Sequence, residues 1–531
     1  MSLLSCLLSN EKISVKTKNK LITNTQSKNL LLKSEYINNK KDFIALNFSN
    51  NNLDSDIDVC KASEIIVNFI GDITNRSELI KILNLRKDVT NSSIINHAYK
   101  KWGYSFPVRI YGFFSIIIYN SKERKLIIVN DHLGSKPIYY YKSANAFLVS
   151  SKIKTILNLI KIKEANNSRI RDYFIFFNGK PGETFFSNIF RLEPGSLMIY
   201  QNNKILKEKY FDYDLSKKTI YKNDEEYEEN FRELFLNTIS SLSYAAGEAK
   251  IGSSLSGGLD SSSITCALKH LDKNVIPQSV LFEGLTDNDY KITNERSYVD
   301  DVSKKYDLNT NHIPLINDGC ISEYPKAVKY NDEPPSLING YIHSAIFENL
   351  KNNNINILFD GYDGDTTVSH GYEHLFELGR KFRLIKLYKE YSDIHMLQGI
   401  HNPKFLKAIK QYCIKSYIPK KIFWLKDKHF TGSMIPLKWY KRLDKNKISP
   451  PEYKEILKNY NGLPIPNLYS RDSQYAHYLD VINPTIEMSL NLINHNASEY
   501  GIDIKFPFMD RRLIEFCLSI PSNQKLRNGV S

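Results

Sequence analysis

The stretch that most constrains this chain runs Lys250-Ile251-Gly252-Ser253-Ser254-Leu255-Ser256-Gly257-Gly258-Leu259-Asp260-Ser261-Ser262 and continues into Ser263-Ile264-Thr265. It reads as a strand, a tight loop without bulky side chains, and a helix start. Paired glycines let the backbone turn and approach a ligand closely, and small hydroxyls with free N–H groups at a helix N-terminus favour an anion there. An ordinary N-capped strand-to-helix turn has the same outline. What lifts Ser256-Gly-Gly-Leu-Asp260-Ser261 above it is the carboxylate beside the cradle, where a Mg²⁺ ion on a triphosphate needs one. The Lys-Ser/Thr ending of a Walker A loop is missing.

A second loop of the same kind follows an apolar run: Ile355-Asn-Ile-Leu-Phe359-Asp360-Gly361-Tyr362-Asp363-Gly364-Asp365. Around the two loops, helix and strand patterns alternate. A helix is expected over Asp224 to Ala246, another over Ser263 to Lys269, a strand at Gln278 to Phe282, a helix over Glu295 to Tyr306 and a short run at His312 to Leu315. Alternation of this kind predicts βαβ units and an α/β doubly wound parallel sheet, with ligands beyond the C-terminal strand ends. Adenine is then expected near Leu255 and Phe282. Two carboxylates so far apart in the chain as Asp260 and Asp365 share one hard cation only if parallel strands bring their ends together.

The first part of the chain differs. Ile65 to Gly71, Phe113 to Tyr119 and Leu126 to Val129 are short β-like runs, with a helical stretch over Ser92 to Lys101, so an α+β domain with antiparallel sheets is expected over residues 1–212 and the α/β domain over 213–531. At 531 residues, two or three domains are expected. The net charge of +14 comes with no zinc-knuckle or helix-turn-helix pattern, so no nucleic acid partner is expected; phosphate ligands or an acidic peptide account for it. Six cysteines, at 6, 60, 266, 320, 413 and 517, form no Cys-x-x-Cys pair and predict reduced thiols without a metal site. Met1 to Leu8 lacks a basic n-region and reads as a strand, and no apolar stretch approaches the roughly 20 residues that span a bilayer, so a cytoplasmic protein off the membrane is expected. The Lys-rich, aromatic-interleaved stretch from Arg380 to Lys428 reads as surface helices.

The Ser256-Gly-Gly-Leu-Asp-Ser261 loop resembles the pyrophosphate loop of ATP pyrophosphatases of the asparagine synthetase and GMP synthetase type, which cleave ATP between the α and β phosphates. Asp360 to Asp365 resembles the Ser-Gly-Glu-Gly-Ala-Asp-Glu segment of asparagine synthetases. The resemblance implies that Leu255, Ser256, Gly257, Gly258, Leu259, Asp260, Ser261, Ser262, Phe282, Asp360 and Gly361 bind ATP and pyrophosphate, and that Asp260 and Asp365 hold Mg²⁺. Gly71-Asp-Ile-Thr-Asn75 with Glu78, Gly112 to Tyr119, Asp131-His-Leu-Gly-Ser-Lys-Pro137 and Phe190-Arg-Leu-Glu-Pro-Gly195 resemble the glutamine amidotransferase domain of the same family, an Ntn-type fold. Asn331-Asp332-Glu333-Pro-Pro335 and Asn339-Gly-Tyr-Ile-His343 match its acidic-Pro segment and the helix start facing the intermediate, which makes Asp332 and Glu333 substrate-pocket candidates. Glu499 to Phe516 resembles its Glu-x-Arg-x-Pro-Phe-Leu-Asp signature. The family continues through a segment bearing a lysine, and this chain stops at Ser531, so a truncation or a missing lysine is expected.

Departures from the family pattern shape the functional expectation. Glutaminases of this class use a cysteine after the initiator Met, with its free α-amine as base. Ser2 stands there, Cys6 carries no terminal amine, and Phe106 to Gly112 contains no carboxylate where a glutamine-binding acid is expected, although Asn75 is kept. A degenerate, inactive first domain follows. Tyr362 falls where asparagine synthetases carry Glu, as in β-lactam synthetase, where a Tyr with a Glu partner acts as base; the corresponding candidate partner is Glu487, and His370 is a candidate for a structural or general-acid role. The whole resembles most the cyclases of lasso peptides. It implies a carbon–nitrogen ligase using ATP and Mg²⁺ that adenylates a side-chain carboxylate, expected to be that of a precursor peptide, for attack by the peptide's own amine, with a leader peptidase as an expected partner. Asparagine synthase activity and a non-catalytic ATP-binding scaffold are the alternatives.

Overall fold

The computed structural model describes residues 3–25, 31–37, 40, 42–49, 64–160, 163–174, 180–284, 286, 295–315, 319–335, 339–397, 399–401, 403–414 and 472–530. Eleven strands among the described residues form the first half. They are β1 (Leu3–Ser9), β2 (Leu31–Ile37), β3 (Phe43–Ser49), β4 (Ile65–Ile73), β5 (Gly112–Asn120), β6 (Lys125–Asn130), β7 (Tyr139–Lys142), β8 (Ala146–Ser150), β9 (Ile189–Arg191), β10 (Ser196–Gln201) and β11 (Lys204–Lys209). They make a six-stranded sheet, ordered β2-β3-β1-β8-β7-β9, and a five-stranded one, ordered β11-β10-β6-β5-β4. All their paired strands run antiparallel.

The strand β5 shows why two sheets stack. Its Gly-Phe-Phe-Ser-Ile-Ile-Ile-Tyr run is buried on both faces, as β-branched and aromatic residues in a central strand should be. One face, with Ile117 and Tyr119, meets Leu4, Cys6, Leu8 and Phe43 of the other sheet. The opposite face, with Phe114, Ile116 and Ile118, meets Ile94, Ile95 and Ala98 of the helix Asn91–Trp102. On the outer side of the first sheet, Leu21, Ile153 and Ile156 bring the helices Val15–Thr25 and Ile153–Leu159. Helix, sheet, sheet and helix are thus stacked in four layers, the α+β arrangement expected.

The second half is built on a five-stranded sheet of β12 (Ile251–Ser254), β13 (Val275–Phe282), β14 (Asn311–Leu315), β15 (Ile357–Phe359) and β16 (Asp503–Lys505), ordered β14-β13-β12-β15-β16. Every pairing is parallel. Successive crossovers step from β12 outward through β13 and β14, whereas β15 lies on the other side of β12, so the strand order reverses between β12 and β15. Crevices for ligands open at such a switch point, outside the C-terminal strand ends. The leading helix, Asp224–Ser243, is capped by Asn223, whose side chain accepts the Glu226 N–H, with three acids in the first turn. It buries Phe235, Ile239 and Leu242 in the same core as Ile264 and Leu268 of the helix Leu259–His270.

The edge strand β16 adds to the strands expected from the sequence. The stretch after Arg380 begins, as expected, with a surface helix, Leu384–Leu397: Ile385 and Leu397 are exposed, and one face buries Leu387, Tyr391 and Ile394 against Leu375, Phe376 and Tyr412 in a separate small core, because its apolar residues recur at helical spacing between the lysines. Residues 415–428 of that stretch lie outside the described residues. Among the described residues, no helix is long and apolar enough to cross a membrane.

Candidate active site

The phosphate-cradle loop is stapled to itself. The Ser256 N–H donates to Ser261 Oγ at 3.1 Å, the two hydroxyls lie 3.1 Å apart, and the Gly258 N–H donates to Ser256 Oγ at 3.3 Å. Gly258 is the N-cap of the helix Leu259–His270 and supplies no side-chain cap, so the helix opens with backbone donors that an anion can satisfy. Gly257 has φ +93°, and a Cβ on it would stand 3.0 Å from Glu295 O and from Tyr298 Cβ. Only glycine suits both demands.

The acidic loop arrives beside it because β12 and β15 are paired, with Gly252 opposite Leu358 and Ser253 opposite Phe359. At its start Asp360 is fixed on every side. Its N–H donates to Lys505 O at 2.9 Å, its Oδ2 accepts Ser254 Oγ–H at 2.5 Å, and its Oδ1 accepts the Tyr362 N–H at 2.8 Å. Burial alone would raise this carboxyl; His343, Ser254 and the Tyr362 N–H outweigh it and hold it below the ordinary value. Gly364 then lets the two loops touch: a Cβ there would lie 2.5–2.6 Å from the Asp260 carboxyl atoms. Asp260 is pushed up to about 6 by burial and then by the charge of Asp365, against the Asp365 N–H that it accepts. Asp363 is likewise pushed up to about 6, first by burial. The loops therefore concentrate negative charge that a cation would relieve.

A cavity of about 890 Å³ opens over the two loops. Leu255, Ser256, Gly258, Leu259, Asp260, Ser261, Phe282, Asp360, Gly361, Tyr362 and Asp365 line it, so most of the expected nucleotide and metal residues come together. An apolar wall of Val280, Val299, Ile342 and Ile346 faces them and suits a planar base. Among the described residues no set of three or more His, Cys, Asp or Glu side chains is assembled as a complete metal site. Two carboxylates facing a polyphosphate cradle nonetheless fit Mg²⁺, which takes one or two carboxylates and draws its other ligands from phosphate and water.

The remaining expectations need correction. Gly257 and Ser262 do not line the cavity; Gly257 shapes the turn, and the Ser262 hydroxyl is buried without a partner. Glu487 is not brought to Tyr362. It lies 3.0 Å from Arg191 Nε, on the helix Pro484–Tyr500. Two residues on a helix differ by about 200° in direction, so it is Ser489 that stands beside the phenol. Asp332 and Glu333 are not in the cavity either. Asp332 accepts the Lys154 N–H and Glu333 the Phe185 N–H, both at 2.8 Å, along the seam between the two halves. An acidic-Pro motif shows where charge is dense, not which wall it faces. His370 sits between Glu373 (2.9 Å) and Asp480 (2.7 Å) and stacks on His477, a structural clamp. His343 and Arg296 line the cavity without having been assigned roles; their positions at helix starts next to strand ends were the available signal.

In the first half, Ser2 lies outside the described residues. Cys6 is wholly buried, and burial drives its thiol far up, so it is no nucleophile. Asn75 braces the backbone, accepting the Tyr111 N–H and donating to Arg109 O, both at 3.0 Å. Tyr111 itself packs on the Arg511 guanidinium, 4.8 Å from its ring centre.

Four stacked layers followed by a parallel sheet with a serine-glycine cradle at its switch point define an amidotransferase-like domain joined to an ATP-pyrophosphatase-type nucleotide domain. Comparison with known proteins agrees: residues 59–211 match the glutamine amidotransferase domain model and residues 231–531 the asparagine synthase model. The chain belongs to the asparagine synthase family. A Methanocaldococcus jannaschii protein provisionally named glutamine-hydrolyzing asparagine synthetase 2 is 28% identical over 232 residues, 42% of this chain and 44% of that protein. The Bacillus subtilis glutamine-hydrolyzing asparagine synthetase 2 is 24% identical over 490 residues, 86% of this chain and 57% of its own length. Amidase chry2 of Gibberella zeae is 22% identical over 474 residues, 83% of this chain and 68% of its own. The match thus spans about half the length of the first and second of these. Among solved structures, glutamine phosphoribosylpyrophosphate amidotransferase from B. subtilis complexed with ADP and GMP matches 52% of this chain and 64% of its own, with 11% identity and a TM-score of 0.29.

Proposed function

We propose that this chain is an ATP-dependent carbon–nitrogen ligase. A substrate carboxylate attacks the α-phosphate of ATP, pyrophosphate leaves, and an amine then displaces AMP from the acyl-adenylate. The observation that carries this reading is the meeting of two strand-end loops at one cavity, with Gly364 leaving room for the Asp260 carboxyl beside a self-stapled phosphate turn. In this scheme Ser256, Gly258 and Ser261 receive the pyrophosphate portion, and the wall around Val280 and Ile346 receives the base. Asp260 and Asp365 would hold Mg²⁺, which supplies charge neutralisation at the phosphates when bound. Tyr362, pushed up to about 12 chiefly by burial, offers a protonated phenol at the cavity wall.

The amine proposed is that of a precursor peptide, closing a ring onto its own side-chain carboxylate, with a leader peptidase as partner. Two features support it over glutamine: a buried Cys6, and Tyr111 packed on Arg511 where a glutamine-binding acid is expected. An internal amine makes a glutaminase unnecessary. The second reading is an asparagine synthase fed by free ammonia, favoured by the names of the relatives.

Exchange of labelled pyrophosphate into ATP tests the ligase reading, with L-aspartate and with a pool of peptides bearing a free N-terminus and one internal Asp or Glu. Carboxylate-dependent exchange is expected, and Asp260→Asn or Asp365→Asn should each reduce it by about 100-fold or more without unfolding the protein. Peptide-dependent exchange supports the macrocyclase, and aspartate-dependent exchange the synthase. Exchange with none of them, or wild-type rates in either variant, removes the assignment.

A further inference from the structure

We propose that His343, with Asp360 as its carboxylate partner, accepts the proton lost by the attacking amine. This rests on the ligase reading and assigns a residue to its second half. As the amine nitrogen bonds to the acyl carbon, it becomes positively charged. The bond from that carbon to the AMP oxygen breaks, AMP leaves with the electron pair, and one proton must leave the nitrogen. The two residues expected for this role from the sequence do not serve it. Tyr362 is held protonated by burial, with the charges of Asp363 and Asp360 adding to the effect, and Glu487 is committed to Arg191 elsewhere.

His343 lies near the start of the helix Gly340–Asn352 and lines the same cavity as Tyr362 and Asp365. Its Nε2 stands 3.6 Å from Asp360 Oδ2, and its side chain keeps 14% exposure. The carboxylate cannot turn away, because Ser254 Oγ–H and the Tyr362 N–H hold its two oxygens. A fixed carboxylate beside an imidazole stabilises the imidazolium formed when the ring takes a proton, the arrangement that makes histidine an effective base. The ring is committed only through Nε2, to Asp360. His132 is bound to Met509 O, His477 to Thr367 O and Lys525, and His495 to Ser151 O and Asn331. His343 Nδ1, by contrast, is buried and has no hydrogen-bond partner. These three buried histidines are tied down at a ring nitrogen; among the described residues, the polar contact of His343 is the longer one to Asp360.

The test separates the two half-reactions in the full chain. Pyrophosphate exchange reports adenylation. Amide formation, followed by mass spectrometry with ammonia and with the same aspartate and peptide probes, reports aminolysis. For His343→Ala the expected result is exchange within about threefold of wild type and amide formation reduced by about 10²–10⁴-fold, the range of general base catalysis. Added imidazole should restore part of the lost rate, which a merely structural role would not allow. His343→Gln, which keeps a polar side chain of similar reach, should show the same split. Amide formation at the wild-type rate in these variants overturns the proposal. So does equal loss of exchange and amide formation in both, which would place His343 in nucleotide binding. No exchange in the unaltered protein defeats the ligase reading, and this inference with it.

Discussion

Single residues decide the geometry of this site. Gly364 has an ordinary helical backbone, φ −59° and ψ −35°, so alanine is acceptable to the chain itself. Its methyl group is not acceptable to Asp260, which it would meet at 2.5–2.6 Å. Gly364→Ala should therefore lower pyrophosphate exchange by about 10–100-fold, as small misplacements of reacting groups do. The denaturation midpoint should move by less than about 1 kcal/mol equivalent. Exchange at the wild-type rate would show that Asp260 has no need of that space. The residue types at the loops were legible because a glycine, a serine and a carboxylate at fixed offsets state their own chemistry. Glu487 was not, because a two-residue offset on a helix selects the opposite face, and the choice of Ser489 over Glu487 depends on how that helix is rotated against the sheet.

Among elements, β16 is the instructive one. It has three residues, too few for a periodicity, yet it completes the parallel sheet and orients Lys505 in both directions. The backbone carbonyl of Lys505 accepts the Asp360 N–H at 2.9 Å. Its side chain, 2% exposed, donates to both oxygens of Asp72 at 2.7 Å and to Asp503 at 2.6 Å. Asp72 belongs to β4, so the amidotransferase-like half supplies the counter-charge for a strand of the nucleotide half. Removing one member of such a buried group leaves an uncompensated charge. Lys505→Met should cost about 3–5 kcal/mol by chemical denaturation. Adding Asp72→Asn should cost less than the sum of the single changes, because the two share one interaction. Strict additivity would mean that the triad is not a unit. The helices after Asp224, Ser263 and Glu295 and the strands at Gln278 and before Asp360 were foreseen because their patterns are local. Where the strand order reverses was not, since pairing is a contact between distant segments.

Over the whole molecule, the two halves meet along a seam of buried polar contacts. Lys152 pairs with Glu499 at 2.7 Å, His132 Nε2 lies 2.9 Å from Met509 O, and Arg511 donates to Val108 O at 3.0 Å. His495 lies in this seam, 3.0 Å from Ser151 O through Nε2 and 3.0 Å from Asn331 Oδ1 through Nδ1. Burial lowers it to about 4, with the charges of Lys152 and Arg191 acting in the same direction. An unfolded chain takes up that proton near pH 6.5, so the folded state refuses it between about 6.5 and 4. The contribution is complete above pH 6.5 and is lost as pH falls toward 4, to a total of about 3 kcal/mol. The stability advantage of wild type over His495→Gln should narrow accordingly between pH 7 and pH 4.5, measured by chemical denaturation. A gap that does not change with pH would mean that His495 is not held neutral. The first half thus contributes structure to the nucleotide half, through residues that no single motif connects.

The chain order alone carried the chemistry of the two loops and the change from antiparallel to alternating architecture, because turn residues, caps and periodicities act over a few positions. The tertiary structure assigned the walls. It turned Asp332, Glu333 and Glu487 to the seam, brought Asp260 against Gly364, and set His343 beside Asp360. Those outcomes follow from which strand pairs with which and how each helix is rotated on the sheet, and both are set by burying the apolar faces of segments hundreds of residues apart.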